Sequence, residues 1–246
     1  MKNREKIYLY PMESLSTLVL VGRIEISAAM MGILMGRGIE VIYLSSDGRF
    51  KGRVISAAGK NIQIREKQFA LRREPAFVLT LSKEIVQAKI RNSRNLIRRH
   101  NPGIYQGLAY RVQNALNSTA ASADIERLRG IEGSFAALYY THFAALLKNR
   151  MGFRKRRKHP PPDPVNILLS FGYTLLFNNI FALVESTGMD PYAGFYHQSR
   201  YGHPALISDL MEPFRARVVD QFVIGLINNQ LILAEHFVKS GKSFQF

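Results

Sequence analysis

The chain has 246 residues, of which 34 are Lys or Arg and 18 are Asp or Glu, so its formal net charge is +16. Because 47% of the residues are apolar, the chain can bury a hydrophobic core, which excludes a disordered basic tail. It contains no Cys, which excludes disulfides, zinc–thiolate sites and cysteine nucleophiles. The charge excess favours a polyanionic partner, with nucleic acid ahead of an anionic membrane surface.

The first 60 residues predict a small α+β unit. The apolar runs Leu15–Val21 and Ile39–Leu44 have the length of strands. Between them, Ile26–Met35 has the length of a helix and ends at glycine, and Arg49–Ala57 follows a turn as the second arm of a hairpin. The N-terminal ten residues lack the apolar core of a signal peptide, which predicts a cytoplasmic protein.

After Gly59 the apolar residues recur three and four apart, which predicts an all-α second part. Its first helix has a basic face from Lys83 to Arg99, and the polar stretch Gln63–Glu74 before it is predicted to be a linker. Further helices are predicted at Tyr105–Leu116, Ile125–Leu147, Pro164–Glu185 and Asp209–Asn228. The predicted fold class is α+β, with a β-rich domain at residues 1–62 and a larger helical domain at residues 63–246.

The uncharged segment Val165–Val184 is long enough to cross a bilayer. It contains three Asn residues and its apolar residues are unevenly spread, so we interpret it as a core helix and expect no membrane contact.

A basic segment, Lys148–Lys158, contains seven Lys or Arg residues and no acid. Like charges at this density repel one another unless a polyanion lies among them. We interpret the segment as a site of phosphate contact, with a solvated loop as the alternative.

Three acids and a histidine are the candidate site residues. Glu132 lies in an otherwise uncharged apolar helix, where a carboxylate needs a cation or hydrogen bonds; the alternative is interaction with a helix dipole. Asp209 and Glu212 are three residues apart, so they lie on one helix face, although the same spacing is typical of a capping box. His197 lies at the edge of a turn. His203 is expected to be a solvated loop residue, with an approach to the same site as the alternative.

Three longer segments follow one another with a distinctive order and spacing: Asp163–Tyr173, Gly188–His197 and Asp209–Arg215. They resemble the CRISPR-associated integrase family, the larger of the two adaptation proteins that insert new spacers. Ala88–Arg94, Glu132-Gly133 and Phe50–Asn61 are also similar to family motifs. The resemblance covers nearly the whole chain, and family members continue beyond it at both ends.

The resemblance implies a β-rich domain that mediates dimerisation and a helical domain that holds one divalent metal. It places the metal ligands at Glu132, His197 and Glu212, with Asp209 as an assisting catalytic acid. Two carboxylates and one imidazole suit Mn²⁺ or Mg²⁺. The resemblance further implies a homodimer, a small ferredoxin-like partner protein that bridges two dimers, and DNA substrates, namely a duplex with single-stranded 3′ ends and the CRISPR repeat.

The predicted activity is that of a divalent-metal-dependent DNA integrase and endonuclease: a 3′-hydroxyl attacks a phosphodiester of the repeat in a transesterification, and metal-dependent nicking uses the same residues. Arg215 is expected to contact the scissile phosphate, and His197 to move a proton as well. Further basic residues are expected to hold the DNA backbone without reading sequence: Lys89, Arg91, Arg94, Arg154, Lys155, Arg156, Arg157 and Lys158. The alternatives are a non-catalytic nucleic-acid scaffold and a structure-specific nuclease that acts on branched DNA.

Overall fold

The chain forms two units that divide between residues 58 and 59, the first with a small sheet and the second mostly helical. The computed structural model describes residues 9–46, 48, 50–55, 61–157, 161–240 and 243–245. The order of elements confirms the predicted α+β class, a small β-rich unit followed by a larger helical one.

The first unit contains a three-stranded sheet. Strand β1 (Thr17–Val21) pairs in parallel with β2 (Glu40–Leu44), and helix α1 (Ala28–Gly36) provides the crossover that a parallel pair needs. Strand β3 (Phe50–Val54) pairs with β2 in antiparallel fashion. The predicted strands and helix are confirmed; residues 49, 56 and 57 of the predicted hairpin arm lie outside the described residues.

The second unit is helical over most of its described length. Four of its helices begin at an Asn or Asp whose side chain accepts a hydrogen bond from a backbone amide of the first turn. In chain order the elements are α2 (Ile62–Leu71), α3 (Pro75–His100), α4 (Pro102–Ala120), α5 (Ile125–Phe143), α6 (Pro164–Thr187), α7 (Ala205–Met211), a π-helical segment (Arg215–Asp220), α8 (Gln221–Asn228), β4 (Val238–Ser240) and β5 (Ser243–Gln245).

Helices α3 and α6 make most of the packing contacts that bear on the site. Helix α3 packs against α4, α5, α7 and the π-helical segment, whereas α6 packs against α7, the π-helical segment and α8. By length and composition, α6 is the one helix among the described residues that could cross a membrane. It contributes Val165, Leu169 and Tyr173 to the core of the helical unit.

The prediction that Gln63–Glu74 is a linker is wrong, because helix α2 occupies most of this segment. Its polar side chains bond to the backbone of the loop that follows α6. Gln68 is buried; its Nε2 donates to the carbonyl oxygens of Asp190 and Ala193, at 2.9 and 2.8 Å, and its Oε1 accepts from the Asp190 amide at 2.8 Å. Part of the polar composition therefore serves as partners for backbone groups of the loop.

The single helix predicted at Asp209–Asn228 is also wrong, since α7 ends before Pro213 and a π-helical segment follows it. Proline cannot donate its backbone amide, and its ring clashes with the preceding turn of an α-helix. The backbone hydrogen bonds of a π-helix link residues five apart, so Arg215 and Asp220 lie near the same face of the segment. In an α-helix these two residues would be separated by roughly 140° around the axis.

Candidate active site

Two acidic side chains from different elements meet at one ammonium group. Glu132 on α5 and Glu212 after α7 both form ion pairs with Lys89 on α3, and Lys89 Nζ lies 2.5 Å from Glu212 Oε2. The helix dipole acts mainly on charges in the first turn of a helix. Helix α5 begins at Ile125, so Glu132 lies beyond that turn. The dipole alternative is wrong, and the partner of Glu132 is a cation.

Glu212 is held by two cations. Its side chain is 7% exposed, and Arg215 Nε donates to its Oε1 at 3.0 Å while Lys89 lies against Oε2. Burial alone would raise the pKa of this carboxyl, but the charges of Lys89 and Arg215 outweigh it and hold the pKa below its usual value. Glu212 is therefore a buried anion near neutral pH.

His197 is positioned by Asp209, whose carboxylate is fully buried within α7. Asp209 accepts hydrogen bonds from the backbone amides of Phe195, Tyr196 and His197, at 2.6, 3.0 and 2.8 Å. It also lies 2.7 Å from His197 Nδ1. Because α7 begins at Ala205, Asp209 is not an N-cap, so the capping-box alternative is wrong. The pair leaves His197 Nε2 as the ring nitrogen available to a ligand.

The loop that carries His197 is fastened from two sides. Arg72, which follows α2 directly, donates through Nε to the carbonyl of Gly194 at 2.8 Å, and Arg129 on α5 donates to the carbonyl of Tyr196 at 3.0 Å. A Cβ at Gly194 would lie 2.6 Å from the backbone of Ala205, so only glycine permits this close approach. These contacts fix the backbone of the loop on either side of Phe195.

An open cavity of about 710 Å³ lies beside these residues. It is lined by Glu126, Arg129, Glu132, Tyr196, His197, Gln198, Arg200, Tyr201 and His203. His203, expected to be a solvated loop residue, instead lines this cavity, with its ring centroid 6.3 Å from that of His197. Glu132 and His197 therefore share one cavity, although 65 residues separate them in the chain.

The metal-ligand set expected from the sequence is brought only partly together. Glu132 and Glu212 converge on Lys89, whereas His197 lines the same cavity and bonds to Asp209. Within the described part of the chain, no group of three or more His, Asp or Glu side chains is close enough to hold a metal ion.

The predicted DNA-binding residues lie in two kinds of environment. Arg91 is exposed and bonds to Gln87, and Arg94 bonds to its neighbour Asn95. Arg154, Lys155 and Arg157 are exposed, and Lys158 lies outside the described residues. Arg156 and Arg215 instead point inward, with each guanidinium over the ring of Tyr173. DNA contact stays a prediction for the whole set.

Two residues of the site were not found as such in the sequence. Lys89 was grouped with the DNA-binding residues, yet it lies four residues after Ile85 and four before Ser93, which are both buried on α3. That position on the buried stripe was the available signal. Tyr196 lines the cavity, and its buried hydroxyl has no hydrogen-bond partner within the described residues. Its only signal was its place next to His197.

Comparisons with known proteins match this chain along its length. Residues 1–246 match the family model described as CRISPR associated protein Cas1. The chain is 35% identical over 234 residues to a CRISPR-associated endonuclease Cas1 from Thermus thermophilus, covering 95% of this chain and 69% of that protein. It is 36% identical over 237 residues to a CRISPR-associated exonuclease Cas4/endonuclease Cas1 fusion from Geobacter sulfurreducens, covering 92% of this chain and 42% of the fusion.

A solved structure, the Cas6-RT-Cas1–Cas2 complex, is similar in fold. It superposes with a TM-score of 0.80 at 28% sequence identity, covering 100% of this chain and 28% of that chain. The chain thus spans only part of the length of the proteins it resembles.

Proposed function

The chain belongs to the Cas1 family of CRISPR-associated proteins, and from this membership we propose that its cavity joins 3′-hydroxyl ends of DNA into a CRISPR repeat. The observation that carries the proposal is the meeting of Glu132 and Glu212, from separate elements, at one cation position beside the cavity of His197. A non-catalytic scaffold has no need of two acids, one of them buried, that face one positive charge.

We propose that a divalent ion occupies this position during the reaction. The ammonium of Lys89 is a stand-in cation between the two carboxylates, so the residues present fit a positive charge there. Glu132, Glu212 and His197 would hold the ion, and two carboxylates with one imidazole suit Mn²⁺ or Mg²⁺. When bound, the ion would polarise a phosphoryl oxygen and stabilise the charge that develops in the transition state.

The reaction exchanges one phosphodiester for another. The oxygen of the incoming 3′-hydroxyl forms a bond to phosphorus, the bond to the repeat's own 3′-oxygen breaks, and the proton of the attacking hydroxyl passes to the leaving oxygen. No external oxidant or energy source is needed. The chain contributes a fixed imidazole through the Asp209–His197 pair and a carboxylate, Glu212, that stays charged.

The exposed cations would hold the DNA. Arg154, Lys155 and Arg157 are solvent-accessible in a chain of net charge +16, and such side chains bind phosphates without reading sequence. We further propose that the chain acts in the cytoplasm as a homodimer with a small ferredoxin-like partner, since the similar solved assembly contains Cas2 together with Cas1.

The test is strand joining of a labelled duplex into a supercoiled plasmid that carries a CRISPR repeat. We expect a covalent product with Mn²⁺, none with a chelator, and none with Glu132→Gln. Glu84→Gln is the matched control, because Glu84 is an exposed glutamate on α3 and does not line the cavity; it should still join DNA. Unchanged DNA binding in chelator without any covalent product would support the scaffold instead, and cutting of branched DNA without joining would support the nuclease.

A further inference from the structure

One fully buried acid lies outside the site described above. Asp220, at the end of the π-helical segment, is 1% exposed. Its carboxylate accepts hydrogen bonds from the hydroxyls of Tyr139, at 2.6 Å, and Tyr173. The hydroxyl of Tyr140 lies 2.7 Å from that of Tyr173. A buried carboxylate is costly unless donors surround it, so this cluster holds Asp220 in one orientation.

The cluster reaches the active site through the ring of Tyr173. The guanidinium carbon of Arg215 lies 4.8 Å from the centre of this ring, within the range of cation–π attraction. The same guanidinium group donates through Nε to Glu212 Oε1 at 3.0 Å. Asp220, Tyr173, Arg215 and Glu212 therefore form one continuous series of contacts.

The π-helical segment makes this series possible. It begins at Arg215 and ends at Asp220, and its wider turn brings these two residues toward the same side. Tyr173, on α6, can therefore contact both. A regular α-helix after Pro213 would separate them around the helix axis.

We infer that Asp220 is a positioning residue for Glu212: it fixes Tyr173 and thereby holds Arg215 on Glu212 Oε1, which leaves Oε2 at the cation position. The inference rests on the proposed function, because it assigns a purpose to the orientation of Glu212. Asp220 itself does not touch the cavity. A cluster that only stabilises the core would not distinguish the two oxygens of Glu212.

The ionisation of Asp220 supplies a readout that stability alone does not. Burial raises its pKa to about 6, against the opposing effects of the Tyr139 and Tyr173 hydroxyls. The charges of Arg215 and Arg156 also oppose the rise, and Tyr140 is the remaining titratable group that faces the acid. Below about pH 6 the unsubstituted protein therefore comes to resemble Asp220→Asn.

The experiment compares single-turnover DNA joining by the full chain with that by Asp220→Asn and Tyr173→Phe. Tyr173→Phe keeps the ring beneath Arg215 but removes the hydroxyl that bonds to Asp220. Tyr140→Phe is the control, since it removes a buried hydroxyl of the same cluster that does not bond to Asp220. We expect joining to slow by about 10- to 100-fold in the first two variants and to change little in the control, with DNA affinity unaltered in all three.

Two further measurements separate positioning from stability. Where both proteins are fully folded at every pH measured, the ratio of the joining rates of the unsubstituted protein and Asp220→Asn should fall toward one as the pH drops through about 6, whereas a purely stabilising role predicts a constant ratio. Mn²⁺ titration followed by electron paramagnetic resonance should show weaker binding in both variants. Equal rates and equal Mn²⁺ affinity would overturn the inference alone, and absence of joining by the unsubstituted protein would overturn the proposed function. If Asp220→Asn does not fold, Tyr173→Phe decides the question by the same rate and Mn²⁺ measurements.

Discussion

The two sides of the cavity are held in different ways. On the histidine side, Asp209 and Gln68 bind backbone amides and carbonyls of one loop, so the position of His197 is set by hydrogen bonds alone. On the acidic side, Glu132 and Glu212 share the charge of Lys89, and Glu212 is also paired with Arg215. The histidine side is therefore preorganised by the fold, whereas the acidic side depends on which cation is present.

The largest expected effect is on the acidic side. Glu212→Gln removes a charge that faces the cation position but keeps the shape of the side chain, so DNA joining should fall by about 1,000-fold, which corresponds to roughly 4 kcal/mol of transition-state stabilisation. Quantifying the joined product under single-turnover conditions measures it. A variant that joins DNA at the original rate would remove Glu212 from the proposed machinery.

Asp209→Ala should remove the contacts that position His197 and its loop. Three backbone amides would lose a buried acceptor, and we expect the free energy of unfolding to fall by about 3 kcal/mol. Urea denaturation at neutral pH measures the change. Stability within 0.5 kcal/mol of the unsubstituted protein (about the error of such a measurement) would show that these amides find other partners.

The contribution of Asp220 to the free energy of unfolding should depend on pH in the opposite direction from that of an ordinary ion-paired acid. Its pKa rises from 3.8 to about 6 on folding, so the folded chain keeps a proton that the unfolded chain releases. The stability from this proton is present below about pH 4 and is lost, by about 3 kcal/mol, as the pH rises through 6. The difference in unfolding free energy between the unsubstituted protein and Asp220→Asn should follow that curve. A difference independent of pH would contradict the shifted pKa.

Gln68→Leu should perturb the loop that carries His197 less than Asp209→Ala does. The substitution removes three hydrogen bonds to the loop, and we expect a loss of about 2 kcal/mol with faster hydrogen exchange at the amide of Asp190. Gln63→Leu is the matched control, because Gln63 is an exposed glutamine on the same helix. Equal exchange in the two variants would mean that α2 does not fasten the loop.

The smallest effects are expected outside both sides of the cavity. Arg154→Gln and Arg157→Gln each remove one exposed cation, so DNA affinity should weaken by about 2- to 5-fold and the salt dependence should decrease by about one ion each. Fluorescence anisotropy at several salt concentrations measures both. Arg156→Gln should instead destabilise the fold, since Arg156 donates to Asn166 and Ser170 and lies over Tyr173.

Local pattern was sufficient to predict most elements of the fold. Apolar periodicity predicted the strands of the first unit and the helices α3 to α6, because burial imposes that periodicity directly. It failed at Gln63–Glu74, where the polar side chains bind a loop more than a hundred residues away. It failed again at Pro213, where a short break changes the helix type that follows.

The residues of the site also divide into those that the sequence indicated and those that only the structure shows. Family resemblance led to Glu132, His197, Asp209 and Glu212, but the place of Lys89 between two acids depends on the packing of α3 against α5 and α7. Similarly, the contacts of Arg215 with Glu212 and Tyr173 were not predicted from the sequence. Such pairings join distant parts of the chain, and spacing along a sequence does not contain them.

The most direct test of the cation position is anomalous diffraction from crystals of the full chain soaked in Mn²⁺. The account predicts a single strong peak between the carboxylates of Glu132 and Glu212, on the side of His197 Nε2, with the ammonium of Lys89 displaced from its present contacts. A peak elsewhere, or Lys89 still paired with both acids at saturating Mn²⁺, would contradict it.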